Sequence, residues 1–206
     1  IIDSSDGTAG AIMDTRILTI DMGDSGTLTF AGDGGSSVLD AIDDVTPKAG
    51  LEESWDIISG ADILPGGTGG DDMFTYDNSS LMDGLTLSAS YTPSDGTSEV
   101  ESSSDYGLKY TGIEGLTIGA GAGEDNSAAA SIDLTNMYVT YTMDAFSVGY
   151  QTSESDSETA NADKDFTAIG LSYAVSEEMS VSLNTSTIDY ENATLSDQEA
   201  TGISVS

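Results

Sequence analysis

Leu85-Thr86-Leu87-Ser88-Ala89-Ser90-Tyr91 alternates between side chains that avoid water and side chains that seek it. In a β-strand successive side chains point to opposite faces, so this stretch predicts a strand with one apolar face and one lined by hydroxyls. The same phase recurs outward from it. Tyr106, Leu108 and Tyr110 alternate with Gly107, Lys109 and Thr111, and Met137, Val139 and Tyr141 with Tyr138, Thr140 and Thr142. Further on, Ile169, Leu171, Tyr173 and Val175 alternate with Gly170, Ser172 and Ala174, and Met179, Val181 and Leu183 with Ser180, Ser182 and Asn184. Counted from Arg16, about eleven strands are expected, the last opening at Ile203 and Val205.

The connections fall into two classes that take turns. Short ones lie at Gly23-Asp24-Ser25, Met82-Asp83-Gly84, 112–115, Met143-Asp144-Ala145 and Ser176-Glu177-Glu178. Long acidic ones run over about 32–71, 93–104, 124–131, 152–165 and 189–198. An up-and-down meander whose two rims face different compartments produces this rhythm. After each short turn a related tetrapeptide restarts the strand, at Leu85, Leu116, Phe146 and Met179, so the repeat holds two strands.

Composition closes several other classes. The 206 residues carry 37 acids against 4 bases, a formal charge of −33, with no His and no Cys. Disulfides and thiol chemistry are excluded, and the commonest general base and transition-metal ligand is absent. Such a charge repels nucleic acid. It also favours a saline habitat, where screening relieves self-repulsion. No run of eighteen apolar residues exists, so no membrane-crossing helix is expected. The chain opens on Ile1, and Ser206 falls inside an alternating segment, so a fragment or processed chain is expected.

Alternation alone fits a soluble β-protein, where the apolar face is the core, and a transmembrane barrel, where it meets lipid and the polar face lines a wet lumen. Three features favour the barrel. The apolar bands between 85 and 183 hold no charged residue, Tyr91, Tyr106, Tyr150 and Tyr173 stand near band ends, and the loop classes alternate. A secreted acidic β-rich surface-layer or adhesin domain remains the alternative; it would be soluble without detergent.

The stretch Phe74-Thr75-Tyr76-Asp77-Asn78-Ser79-Ser80-Leu81-Met82-Asp83-Gly84-Leu85, continuing to Tyr91, resembles a passage of Gram-negative general porins, above all alphaproteobacterial ones. Gly26-Thr27-Leu28-Thr29-Phe30-Ala31-Gly32 looks like the family strand that leads into the third loop, and Asp105-Tyr106-Gly107-Leu108-Lys109-Tyr110-Thr111 like a later one. The resemblance covers nearly all of the chain after Thr15. It implies an all-β, up-and-down antiparallel barrel of 16 strands, incomplete here at both ends. It further implies a homotrimer, an outer-membrane location among lipid and lipopolysaccharide, and a third loop folded inward to narrow the pore. On this reading, residues 1–206 form one barrel domain with 32–72 as its constriction loop. The function implied is passive diffusion of small hydrophilic solutes and ions.

Within that loop Val38, Leu39, Ile42 and Val45 have helical spacing, with Ser37 as N-cap, Asp40 three residues later, and Pro47 as terminator. Pro65-Gly66-Gly67 resembles the corresponding region of porin third loops. Asp40, Asp43, Asp44, Glu52, Glu53, Asp56 and Asp62 are opposed within the loop only by Lys48. Folded inward, they would screen the pore negatively and favour cations. The family usually sets Arg residues against such acids on the barrel wall. Here only Lys109 has the lumen phase, while Arg16 is in phase with Leu18 and Ile20.

No catalytic residue is assigned. Paired acids such as Asp43-Asp44 and Glu177-Glu178 have no base, nucleophile or metal partner around them. No cofactor is expected, although acid-rich stretches such as Asp3 to Gly7 and Glu124-Asp125-Asn126 leave a weak Ca²⁺ reading open without EF-hand spacing.

Overall fold

A computed structural model describes residues 16–43, 45–49, 54, 72–94, 96, 101–128 and 130–206. The chain is all-β, with eleven strands hydrogen-bonded antiparallel in sequence order. They are β1 (Arg16–Asp21), β2 (Thr27–Asp33), β3 (Met73–Met82), β4 (Leu85–Thr92), β5 (Ser103–Ile113), β6 (Leu116–Asp125), β7 (Ile132–Met143), β8 (Phe146–Ser157), β9 (Lys164–Ser176), β10 (Met179–Tyr190) and β11 (Gln198–Val205). β1 and β11 are the two edges of this sheet. The helical segments bounded within the described residues are 3₁₀ turns at Gly23–Ser25 and Asp40–Ile42.

Every strand pairs with its sequence neighbours because each short connection is a tight reversal. Asp83-Gly84 and Glu114-Gly115 join their strands in two residues, and Gly84 and Gly115 sit at φ +75° and +74°. That left-handed conformation costs glycine little and other residues more. Each turn is also tied to the following strand: the Thr111 amide on β5 donates to the Gly84 carbonyl at 2.7 Å, and that of Thr142 on β7 to the Gly115 carbonyl at 2.8 Å.

Strand length exceeds the membrane requirement on β7 to β10. Twelve residues at roughly 3.3 Å each, tilted by about 40°, rise about 30 Å, against an apolar band of about 25 Å. The surplus stands at the long-loop rim, where Glu154, Asp165 and Asp189 face one another in register across β8, β9 and β10. Sequence alternation placed Thr152 to Asp165 in a loop. In the structure β8 runs on to Ser157 and β9 starts at Lys164. Polar residues on both strand faces hide such a strand from any hydropathy pattern.

The burial pattern decides which face is inside. Along β7, Asn136 is 1% exposed, Met137 59%, Tyr138 6% and Val139 38%. A soluble sandwich has the opposite assignment. The rule holds from β4 to β10: Leu108, Ile118, Val148, Tyr150, Ile169, Leu171 and Leu183 are exposed, while Ser90, Gln151, Ser153, Ser182, Asn184 and Ser186 are buried. Aromatic pairs stand on the outer face, with Phe146 and Tyr173 4.4 Å apart and Phe30 and Phe74 5.1 Å apart between ring centroids. The inner face is not uniformly polar. Leu134, Phe166 and Ile188 lie on it buried, near the long-loop ends of their strands.

Candidate functional site

What buries the polar face is the long connection between β2 and β3. Its described part crosses the inner side of the sheet from β4 to β11. It starts with a capped turn: Ser37 Oγ accepts the Asp40 amide at 3.2 Å, and the Ser37 carbonyl accepts the Ala41 amide at 3.0 Å. The bond expected from Ser37 to the amide three residues on is therefore present, although the residue that flanks the helical segment is Leu39, which makes no side-chain cap. The helix is only the three-residue 3₁₀ segment Asp40–Ile42, ending well before Pro47. Val38 and Leu39 are occupied in packing onto the wall.

That packing depends on missing side chains. A Cβ at Gly107 on β5 would stand 2.5 Å from Val38 Cγ1, and one at Gly121 on β6 2.7 Å from Leu39 Cδ2 and 2.9 Å from Ile42 Cδ1. One at Gly149 on β8 would collide with Pro47 Cδ, and one at Gly170 on β9 with Thr46 Cγ2 and the Pro47 carbonyl. Four glycines on four strands thus form a seat at contact distance for the loop.

Amides on the same face hold the loop backbone. Gln151, fully buried on β8, donates Nε2 to the carbonyls of Asp43 at 2.7 Å and Ile42 at 3.3 Å. Its Oε1 accepts the Val45 amide and the Thr46 hydroxyl, both at 3.4 Å. Asn136 on β7 donates to the Ile42 carbonyl, and Asn184 on β10 to the Pro47 carbonyl, each at 3.0 Å. At the loop's entry the Val38 amide donates to Ser90 Oγ at 3.0 Å, and that hydroxyl donates to Asp105 Oδ2 at 3.2 Å. Asp105 is buried.

Between the loop's first turn and the wall of β3 to β7 lies a cavity of about 360 Å³. Ser36, Thr75, Asp77, Thr86, Ser88 and Lys109 line it, with Tyr138 at one side. Tyr138 occupies the space above Gly119, where a Cβ would overlap its ring. Asp77 accepts a hydrogen bond from Ser88 Oγ at 2.5 Å.

Of the residues singled out in the sequence, Asp40, Asp43 and Lys48 are half-buried on the loop, and Lys109 is exposed on the inner face of β5. Asp40 accepts from Ser36 Oγ at 2.5 Å. Asp44, Glu52, Glu53, Asp56 and Asp62 lie outside the described residues, as does Pro65-Gly66-Gly67. Arg16 is exposed at the β1 edge, where its Nη2 donates to the Gly32 carbonyl at 2.7 Å. Sequence reasoning missed Asp77, Asp105, Asn136, Gln151 and Asn184. Each stands in the polar phase of its strand, and a long amide or an acid among Ser, Thr and Gly was the available signal. Among the described residues no group of three His, Cys, Asp or Glu is placed to hold a metal ion.

Comparison with known proteins agrees with this geometry. Residues 4–206 match the family model described as Gram-negative porin. No curated protein gives a significant match. Among solved structures, OmpT of Vibrio cholerae, an outer membrane protein folded in vitro, superposes with a TM-score of 0.65 at 17% identity, covering 93% of this chain and 63% of that one. Its loop L8 deletion mutant gives 0.65 at 16% identity, covering 93% and 67%. A porin refined at 1.8 Å resolution gives 0.62 at 17% identity, covering 89% and 67%. At these identities the likeness shows the fold alone. The chain spans about two thirds of the length of these structures.

Proposed function

The chain belongs to the Gram-negative porin family, and on that basis we propose that it forms a passive, cation-preferring diffusion channel for small hydrophilic solutes. The location, the outer membrane, follows from the family and from its structural neighbours. The observation that carries the channel reading is the inverted sheet, with exposed aliphatic side chains outside and buried serines and amides inside. In lipid, exposed aliphatic surface has no cost, and a polar face turned inward is kept away from the hydrocarbon.

The loop over 32–72 is the constriction on this reading, and the barrel is one domain. Support comes from the seat and clamp at Ile42, Asp43 and Pro47, which hold the described part against the wall. A channel performs no chemical step, so the chain is read as a non-enzyme without cofactor. The family and the lumen-side arrangement support this. A homotrimer set in outer-membrane lipid and lipopolysaccharide completes the proposal.

Cation preference rests on charge. The proposed constriction acids Asp40, Asp43, Asp44, Glu52, Glu53, Asp56 and Asp62 outnumber the bases Lys48 of the loop and Lys109 of the wall seven to two, within a chain of net charge −33. Rings of acid concentrate cations and exclude anions. Reversal potentials in planar bilayers under a KCl gradient test it. The potential is expected to have the sign of cation selectivity and to shrink as salt screens the acids. Anion selectivity contradicts it.

A further inference from the structure

The cavity under the loop is electrically unlike the rest of the molecule. Of the described residues lining it, Asp77 is the one acid and Lys109 the one base, in a chain where acids outnumber bases 37 to 4. The two approach the cavity from opposite sides of β4. Asp77 on β3 pairs in register with Ser88, and Lys109 on β5 pairs with Thr86. They are thus two strand spacings and two residues apart, roughly 9.5 Å across the sheet and roughly 6.8 Å along it. No ion pair joins them among the described residues. Asp77 is held by Ser88 Oγ, and the flexible four-carbon stem of Lys109 leaves its ammonium free to move over the gap.

Two opposite charges that face one cavity without meeting suit a solute that bears both. We propose that this cavity is a transit subsite for small zwitterions, molecules of amino-acid size whose carboxylate meets Lys109 and whose ammonium meets Asp77. The hydroxyls of Thr75, Thr86 and Ser88 and the phenol of Tyr138 supply hydrogen bonds around those charges. The volume, about 360 Å³, lies at the small end of ligand pockets. A lone cation would meet Lys109 as repulsion and a lone anion Asp77. The subsite therefore filters by dipole, where the loop acids filter by net charge. The proposal rests on the channel reading above and names the solute class of that lumen.

The test is liposome swelling with the purified, reconstituted protein, using L-glutamine as the zwitterion and arabinose as a neutral solute of similar size. In the native protein L-glutamine is expected to enter roughly two- to fivefold faster than arabinose, the range that solvent-screened ion pairs supply. Lys109→Met and Asp77→Asn should each bring that ratio close to one. The double exchange Asp77→Lys with Lys109→Asp should restore it, because a zwitterion can enter reversed; a merely structural role for either residue would not give that restoration. Arabinose entry with a ratio near one in the native protein, or a ratio that both single variants leave unchanged, overturns the subsite while the channel stands. Entry of neither solute overturns the channel reading and the subsite with it.

Discussion

Gln151 Nε2 on β8 donates to the Asp43 carbonyl at 2.7 Å, bridging 108 residues of sequence. One side-chain amide thereby fixes the first part of a long loop to the wall it crosses. Gln151→Leu keeps the approximate volume and leaves the carbonyl of Asp43 and the amide of Val45 without this partner. Buried backbone groups left so cost about 1–3 kcal/mol. The loop should then leave the wall part of the time. Single-channel recordings are expected to show added current noise and a raised mean conductance, and limited proteolysis should cut the loop faster. Traces indistinguishable from native would show that Gln151 does not hold it.

The glycine seat makes a prediction of opposite sign. Gly149→Leu places a side chain where Pro47 Cδ now rests and drives the loop toward the pore axis. Conductance should fall and arabinose entry should slow. The neighbouring change Val148→Ala alters only an exposed outer residue and serves as control, with native conductance expected.

Adjacent residues on β9 separate the two faces. Leu171 is exposed on the outer face and Ser172 stands on the inner one. An arginine facing lipid near the midplane of a barrel costs about 2–4 kcal/mol, falling toward the interfaces. Leu171→Arg should therefore lower the yield of folded, membrane-inserted protein and its stability to urea. Ser172→Arg should fold like native and shift the reversal potential toward anions. Equal loss of stability in both would mean that the faces are not distinguished by lipid.

Much of this arrangement was legible in the residues. The phase of Leu85 to Tyr91 located every strand that carries aliphatic side chains on one face, and the alternation of short and long connections gave the meander. The hydrogen bond between Ser37 and the Asp40 amide was readable from their spacing. What escaped is physically of three kinds. The strand from Gln151 to Ser157 is polar on both sides, because one face touches the loop and the other projects past the lipid, so hydropathy has no contrast to report. Leu134, Phe166 and Ile188 sit in the polar phase, buried on the inner face near the long-loop ends. The seat at Gly149 and Gly170 could not be inferred from sequence, since a glycine's role as contact space for Pro47 depends on a contact about a hundred residues away. Likewise Lys109 was readable by phase, whereas Asp77, its counterpart across β4, needed the register of three strands.

The most direct measurement of the sidedness on which the account depends is paired cysteine labelling, in a chain whose own cysteine count is zero. Single cysteines at Leu171, Val139 and Ile169, and at Ser172, Ser147 and Lys109, would be introduced into the reconstituted protein. A charged, membrane-impermeant thiol reagent should reduce channel current through the second set and leave the first untouched, while a lipid-soluble maleimide should react with the first. Current block through Leu171, Val139 and Ile169 with protection of Ser172, Ser147 and Lys109 would contradict the account.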